Sequence, residues 1–166
     1  MPKPINVLFL CTGNSARSIL SEALLNDLGH DTPSGRRFLG WSAGSHPSGV
    51  PHPDGLAELE KRGHRTEFYR SKSWDEFAQD GAPEMHIVVT VCDNAAGEVC
   101  PVFPGGHIRV HWPAPDPAHV EPLQARQKAF ADVYDLCRGR IEALVAMSDD
   151  ALADKAQLQE IANIHA

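Results

Sequence analysis

Apolar runs and helix-type stripes alternate along the chain. Residues Ile5 to Leu10 are almost all apolar and predict a buried strand, whereas from about Ser15 to Leu28 the apolar residues recur along one helical face. Met85 to Val91 is a second near-continuous apolar run, typical of a strand buried on both faces of a parallel sheet. Shorter strands are predicted over residues 38–42 and 107–111.

Helices are predicted between and after these strands. One begins at Pro53, a short one covers Trp74–Ala78, and a long one runs from about Pro122 to Met147. Ser148 is the predicted cap of a last helix that reaches about Ile164. Because strands and helices alternate, we expect an α/β fold: a three-layer α/β/α sandwich with a mainly parallel sheet of about four strands.

Size and composition indicate one globular domain, with residues 1–147 as its body and residues 148–166 as a C-terminal helical extension. The sequence contains no apolar stretch of about 18 residues and no signal-peptide pattern, so we expect a cytoplasmic protein without a membrane partner. The net charge of −7 argues against a nucleic-acid partner. It also gives no general attraction for an anion, so any oxyanion must be captured by local positive potential.

The candidate chemistry begins directly after the first strand, in the octapeptide Cys11-Thr12-Gly13-Asn14-Ser15-Ala16-Arg17-Ser18. At a junction between strand and helix, the backbone amides of such a loop can wrap an oxyanion, and Arg17 adds a planar, permanently charged fork. Gly13 and Asn14 allow positive φ, and Ser18 can donate a hydrogen bond to a thiolate. We therefore predict an oxyanion site formed by residues 12–18, with Cys11 as the nucleophile.

Cys11 is expected to ionise easily in this position. The pKa of a cysteine at a helix N-terminus or beside an arginine falls from about 8.5 to roughly 3.5–7.5. The alternative is a buried structural cysteine that ends a strand, which leaves the turn residues and Arg17 without a purpose.

Two further cysteines follow the second buried strand. Cys92 and Cys100 flank a short acidic segment that contains glycine, and they form a candidate pair for disulfide bonding. A zinc site that includes His107 and His111 is the alternative, but the spacing does not match the tight loops of structural zinc sites, and we predict no metal. Cys137 lies among apolar residues of the long helix and is predicted to be a core residue.

Asp116 follows the last predicted strand and is flanked by Pro115 and Pro117, which stiffen its loop. In an open parallel sheet, ligands bind at the carboxyl ends of the strands. We therefore expect Asp116, Cys11 and Cys92 to meet at one edge of the sheet, although an ordinary turn aspartate explains the composition equally well.

Three segments together resemble the arsenate reductases built on the low-molecular-weight tyrosine phosphatase fold. They are the loop Cys11 to Ser18, the stretch from Val91 to Pro101, and the stretch from His111 to Ala118, and the resemblance runs in order through about residues 5–147. The phosphate loop alone indicates only the phosphatase superfamily. The pair of downstream cysteines is what resembles the reductases.

The resemblance implies a relay of thiols. Cys11 attacks arsenate held by the loop amides and Arg17, while Asp116 protonates the departing oxygen. Cys92 then attacks the adduct, which releases arsenite, and Cys100 resolves the Cys11–Cys92 disulfide into Cys92–Cys100. No cofactor is bound in this scheme. An external thiol reductant, thioredoxin or glutathione with glutaredoxin, restores the dithiol, and phosphate and sulfate are expected to compete with arsenate.

The resemblance also covers a cation site near the loop. Some members bind potassium there, and Asn14, Glu22 and Ser42 are similar to its ligands, but Lys72 lies about where a further oxygen ligand is expected. A lysine repels a second cation, so we expect no potassium, or the lysine in its place.

Two other functions stay open at this point. A low-molecular-weight protein tyrosine phosphatase would use Cys11, Arg17 and Asp116 alone, although Ala118 stands where that branch carries aromatic residues. A non-catalytic module that binds oxyanions or metalloids would leave Cys92, Cys100 and Asp116 unexplained.

Overall fold

The computed structural model describes residues 3–92 and 107–165. Four strands form one sheet in the order β2-β1-β3-β4, and all neighbouring strands are parallel. Their bounds lie close to the predicted ones: β1 Ile5–Cys11, β2 Phe38–Gly44, β3 Ile87–Thr90 and β4 Ile108–His111.

Five α-helices and two 3₁₀ helices accompany the strands in this part of the chain. They are α1 Arg17–Leu28, α2 Pro53–Lys61, the 3₁₀ helix Trp74–Ala78, α3 Leu123–Val145, α4 Asp149–Leu152, α5 Lys155–Glu160 and the 3₁₀ helix Ile161–Asn163. The first helix begins at Arg17 and not near Ser15, because Asn14 has a φ of 44° and Ala16 is not helical.

The single C-terminal helix predicted from Ser148 to Ile164 is wrong in its length. Ser148 does cap a helix, since its side chain accepts a hydrogen bond from the Ala151 amide. That helix ends within one turn, however, because Asp154 adopts an extended conformation and its carboxylate caps α5. A side chain that bonds to nearby amides competes with helix continuation, and here it starts a new helix.

Apolar side chains cover both faces of the sheet. On one face, α1, α2, α3 and the C-terminal helices enclose the main core, which includes Phe9 and Val89 of the sheet and Leu158 of α5. On the other face, the 3₁₀ helix Trp74–Ala78 packs against Leu8 and its neighbours. This layering confirms the predicted α/β class and explains why β1 and β3 are apolar at nearly every position.

Parallel pairing brings the carboxyl ends of the strands to one edge of the sheet. Cys11 pairs with Gly44 at the ends of β1 and β2. Cys92 follows β3, and the segment that leads to Asp116 follows β4. The three segments selected from the sequence therefore start from the same edge. None of the helices in the described residues combines the length and apolar character needed to cross a membrane.

Candidate active site

The loop between β1 and α1 is fixed from outside by backbone hydrogen bonds. The amides of His46, Ser48 and His52 donate to the carbonyls of Thr12, Gly13 and Ser15, respectively, over 2.8–2.9 Å. These bonds neutralise the carbonyl edge of the loop, which leaves its amide edge to receive an anion. Ala16 at the N-cap of α1 adds no side-chain acceptor to the first-turn amides of the helix.

Gly44 lets β2 approach this loop closely. A Cβ atom at that position would lie 2.4 Å from the carbonyl oxygen of Thr12 and 2.9 Å from that of Cys11. Real Cβ atoms essentially never come so near to backbone atoms, so the loop has this conformation only while residue 44 is glycine.

Cys11 is buried, and its Sγ lies 2.9 Å from the hydroxyl of Ser18. Asn14 donates its amide to the same hydroxyl, which leaves the Ser18 proton to point at the sulfur. Burial nevertheless raises the pKa of the Cys11 thiol, while the hydrogen bonds from Ser18 and the charge of Arg17 act in the opposite direction. The lowered pKa expected from the sequence is therefore wrong for this pocket, because desolvation is the largest influence.

A buried network continues from Ser18 to a charged pair. Asn14 donates to Ser42 over 2.9 Å, and Ser42 in turn donates a short hydrogen bond to Glu22. The ammonium of Lys72 lies 3.5 Å from the Ser42 hydroxyl and 3.8 Å from the Glu22 carboxylate. Burial raises the pKa of Glu22 and lowers that of Lys72, and each charge partly offsets the shift of the other.

Lys72 therefore lies beside Glu22 and Ser42, as expected from the sequence. Its backbone amide also donates to the side-chain oxygen of Asn14 over 2.8 Å, so the lysine supports the loop through main chain and side chain alike. Its ammonium places a positive charge beside Glu22 and Ser42, two of the residues that resemble cation ligands in the sequence.

Arg17 and Asp116 face each other across the pocket. One guanidinium nitrogen of Arg17 donates to the Ala114 carbonyl over 3.0 Å, and another lies 3.7 Å from the Asp116 carboxylate. The Asp116 side chain is 42% exposed, whereas that of Arg17 is 15% exposed. The Arg17 side chain therefore connects the anion loop, to which it belongs, with Asp116.

Cys92 is in direct contact with the loop. Its Sγ accepts a hydrogen bond from the Thr12 amide over 3.3 Å and lies 3.6 Å from the Thr12 hydroxyl. Thr12 is the residue next to Cys11, so two buried thiols sit at adjacent points of one anion site. Cys100, the third cysteine of the predicted relay, lies outside the described residues.

A pocket of about 480 Å³ opens onto this arrangement. Four predicted residues that come from three different strand ends line it together, namely Cys11, Arg17, Cys92 and Asp116. Thr12, Gly13, Ser15 and Ala16 also contribute, whereas Asn14 and Ser18 are fully buried behind the wall.

The chain that carries this site matches the model of one protein family. A model of the low molecular weight phosphotyrosine protein phosphatase family matches residues 6–158 of the chain. The chain belongs to this family.

Relatives within the family are named arsenate reductases. The chain is 34% identical over 142 residues to the arsenate reductase of Halalkalibacterium halodurans, a match that covers 82% of this chain and 91% of the other. A solved arsenate reductase from Archaeoglobus fulgidus superposes with a TM-score of 0.57 at 27% identity, over 84% of this chain and 98% of that one.

A larger structure is also similar. It is the thioredoxin-dependent arsenate reductase of Corynebacterium glutamicum, which gives a TM-score of 0.56 at 27% identity over 87% of this chain. The chain spans 62% of the length of that protein.

One residue at the pocket, His52, has a role that the sequence analysis does not assign to it. It lines the pocket, and its ring accepts a hydrogen bond from the Asp54 amide, which caps α2. The sequence His52-Pro53-Asp54 contains the signal, because proline at the start of a helix marks the preceding residue as its cap.

The remaining cysteine and histidine candidates lie elsewhere. Cys137 is buried in α3, where Ser21 donates to its sulfur over 3.6 Å, and its assignment to the core is confirmed. His111 is close to Thr90, with its Nδ1 2.7 Å from the threonine hydroxyl. Over residues 3–92 and 107–165, no group of three or more His, Cys, Asp or Glu side chains could hold a metal ion.

Proposed function

We propose that this protein reduces arsenate to arsenite with its own cysteine thiols. The observation that carries the proposal is the thiol of Cys92 on the amide of Thr12, next to Cys11. Hydrolysis of a phosphate ester needs one nucleophile in the anion loop, and a second thiol against that loop serves a reaction in which sulfur attacks sulfur. The curated relatives named arsenate reductases support the same function.

In the first step, the Cys11 thiolate attacks the arsenic atom of arsenate held by residues 12–18. An oxygen leaves as water after it accepts a proton from Asp116, which lies beside Arg17 at the pocket wall. Loop amides and the guanidinium stabilise the negative charge that develops on the remaining oxygens.

In the second step, the Cys92 thiolate attacks the sulfur of Cys11. A disulfide forms between the two cysteines, and the electron pair of the broken sulfur–arsenic bond passes to arsenic, which leaves as arsenite in the reduced state. Cys100 then attacks Cys92, so that a Cys92–Cys100 disulfide forms and the Cys11 thiolate is released. The protein loses two electrons in total, and arsenic gains them.

An external dithiol completes the cycle by reducing the Cys92–Cys100 disulfide. We propose thioredoxin or a glutathione and glutaredoxin system as the donor, and the cytoplasm as the compartment, because that is where such thiol pools are kept reduced. Arsenate turnover with each purified system identifies the donor. Turnover with neither one points to a different low-molecular-weight thiol.

Replacement of Cys92 by serine tests the relay. Cys92→Ser is expected to abolish multiple-turnover arsenate reduction and to leave slow hydrolysis of p-nitrophenyl phosphate intact, because the anion loop and Cys11 remain. Cys137→Ser is the matched control, since this cysteine is equally buried but lies outside the pocket, and it should retain arsenate turnover. Undiminished reduction by Cys92→Ser contradicts the relay.

Phosphate ester hydrolysis is the second candidate function. It is favoured by the family match and by the facing pair of Arg17 and Asp116, which with Cys11 suffices to form and break a phosphocysteine. If it is the main activity, Cys92→Ser and wild type hydrolyse aryl phosphates at equal and substantial rates, and neither turns over arsenate.

A further inference from the structure

A buried arginine lies behind the pocket and donates hydrogen bonds to backbone carbonyls of two segments. Arg140 of α3 is 3% exposed, and its guanidinium donates only to backbone carbonyls among the hydrogen bonds found in the described part of the chain. The four acceptors, over 2.8–3.3 Å, are the carbonyl oxygens of Trp112, Pro113, Ala162 and Ile164.

These acceptors belong to two separate segments. Trp112 and Pro113 begin the stretch that leads from β4 to Asp116, and Ala162 and Ile164 belong to the C-terminal segment, which we define as residues 155–164. Burial of a guanidinium is costly unless all its donors are used. Because the Arg140 guanidinium donates hydrogen bonds to both segments, it holds each in a fixed position relative to the other.

The C-terminal segment is attached at two more points, one at the end of β4 and one at Trp112. The Gln159 side chain accepts from the His111 amide over 2.9 Å and donates to the His111 carbonyl over 2.6 Å, as a neighbouring strand would. The Trp112 indole donates to the Leu158 carbonyl over 2.9 Å. The family match ends at residue 158, so Gln159 and the carbonyls that Arg140 binds in the C-terminal segment lie beyond it.

On the pocket side, the same stretch is held by Arg17 through the Ala114 carbonyl. Asp116 itself is 42% exposed, and its carboxylate contacts two groups: the Ala118 amide of the same loop, which donates to it over 3.0 Å, and the Arg17 guanidinium at 3.7 Å. A general acid works only when it is within hydrogen-bond reach of the leaving oxygen, and small displacements reduce the rate strongly. The position of the carboxyl group must therefore come from its loop.

We propose that Arg140 and the C-terminal segment are a positioning device for Asp116. They hold residues 112–116 from behind while Arg17 holds them from the pocket, and so they keep the carboxyl group at the anion loop. This inference rests on the proposed function in one respect, namely the assignment of Asp116 as the proton donor.

A double-mutant cycle separates positioning from a general structural role. Single-turnover arsenite release is measured for wild type, Arg140→Met, Asp116→Asn and the double variant, with inorganic phosphate as competitor to report anion binding. We expect a loss of about 100-fold for Asp116→Asn, the order of magnitude of general acid catalysis. The loss for Arg140→Met should be about tenfold, with unchanged phosphate affinity, and the double variant should be no slower than Asp116→Asn.

The controls use the same helix and the same segment. Arg138→Met removes an arginine that is 49% exposed and paired with Glu142, and it should release arsenite at the wild-type rate. Gln159→Met is a milder variant that is expected to fold even if Arg140→Met does not. It should lose about threefold, and that loss should also vanish in the Asp116→Asn background.

The possible outcomes distinguish the two proposals. Losses that multiply in the double variants, or Arg140→Met and Gln159→Met proteins that work at the wild-type rate, contradict the positioning role only. An unimpaired Asp116→Asn protein contradicts that role together with the assignment of Asp116. A wild-type protein that hydrolyses p-nitrophenyl phosphate but releases no arsenite contradicts the proposed function, and the same cycle measured on hydrolysis then decides the role of Arg140.

Discussion

At the scale of single residues, Cys11 is subject to opposing influences. Burial disfavours its thiolate, and the Ser18 hydroxyl with the nearby guanidinium of Arg17 favours it. The balance leaves the thiol protonated over a wider pH range than an exposed cysteine. Ser18 therefore matters for reactivity as well as for structure, because it is the main group that lowers the Cys11 pKa against burial.

Ser18→Ala is predicted to raise the pKa of Cys11 further. A thiol is reactive above its pKa, so the midpoint of its alkylation should move to higher pH in this variant. The measurement is the rate of iodoacetamide modification of the Cys11 peptide against pH, by mass spectrometry. Ser21→Ala is the control, because Ser21 contacts Cys137 instead, and an equal shift in both variants contradicts the assignment.

The pair of Lys72 and Glu22 is a second residue-scale feature with a testable energy. Lys72→Met leaves a buried carboxylate without its cation and should destabilise the protein by about 3 kcal/mol in urea unfolding at neutral pH. Lys61→Met, which removes an exposed lysine, is expected to have little effect. Without Lys72 the Glu22 pKa rises further, so the loss should shrink at acidic pH, below the ordinary pKa of a glutamate.

A Lys72→Met protein that is as stable as wild type at neutral pH, or that loses more stability in acid, contradicts this account of the pair. The wild-type comparison at each pH is essential, because Glu22 already has a raised pKa with Lys72 present. Such a group contributes stability at low pH that is lost as the pH rises through its folded-state pKa.

At the scale of elements, the anion loop depends on the end of β2. Gly44→Ala is predicted to weaken phosphate binding at least about tenfold, because the new methyl group collides with the carbonyls of Thr12 and Cys11. Titration calorimetry with phosphate measures the effect. Gly139→Ala is the matched control, since its Cβ would meet Ile164 at an ordinary 3.5 Å, and it should bind normally. Full affinity in Gly44→Ala contradicts the close approach.

The hydrophobic pattern predicts which strands and helices exist. The residues at which they begin and end depend on particular side chains. In the described residues, β1 and β3 could be predicted because they are apolar and buried at nearly every position, whereas β2 and β4, which are only partly buried, were indicated by shorter patterns. The division of the C-terminal helix could not be predicted, because the sequence is equally consistent with Asp154 as a surface residue of one long helix and as the cap of a second helix. The choice between them is made by tertiary contacts of α5, whose Leu158 is fully buried.

At the scale of the whole molecule, the sheet edge collects groups that are far apart in sequence. Cys11, Cys92 and Asp116 could be selected from the sequence because each follows a predicted strand and parallel strands end together. The direction of the Cys11 pKa shift and the role of Arg140 could not be selected in this way. Both arise from the enclosing fold: the first from burial of the whole pocket, the second from contact between the C-terminal segment and the loop of Asp116.

The net charge of −7 also belongs to this scale. An anionic protein gains no long-range attraction for arsenate, so capture depends on the loop amides, the start of α1 and Arg17. In the proposed function these local donors bind phosphate and arsenate alike, so Cys92 is the described part of the site that distinguishes reduction from hydrolysis.

The most direct test of the central claim is mass spectrometry of the fully reduced protein after one equivalent of arsenate, without any external reductant. The account predicts one arsenite released per protein and a disulfide between Cys92 and Cys100, with neither product in Cys11→Ser. Arsenite release without a disulfide, or a disulfide that excludes Cys92, would contradict the thiol relay.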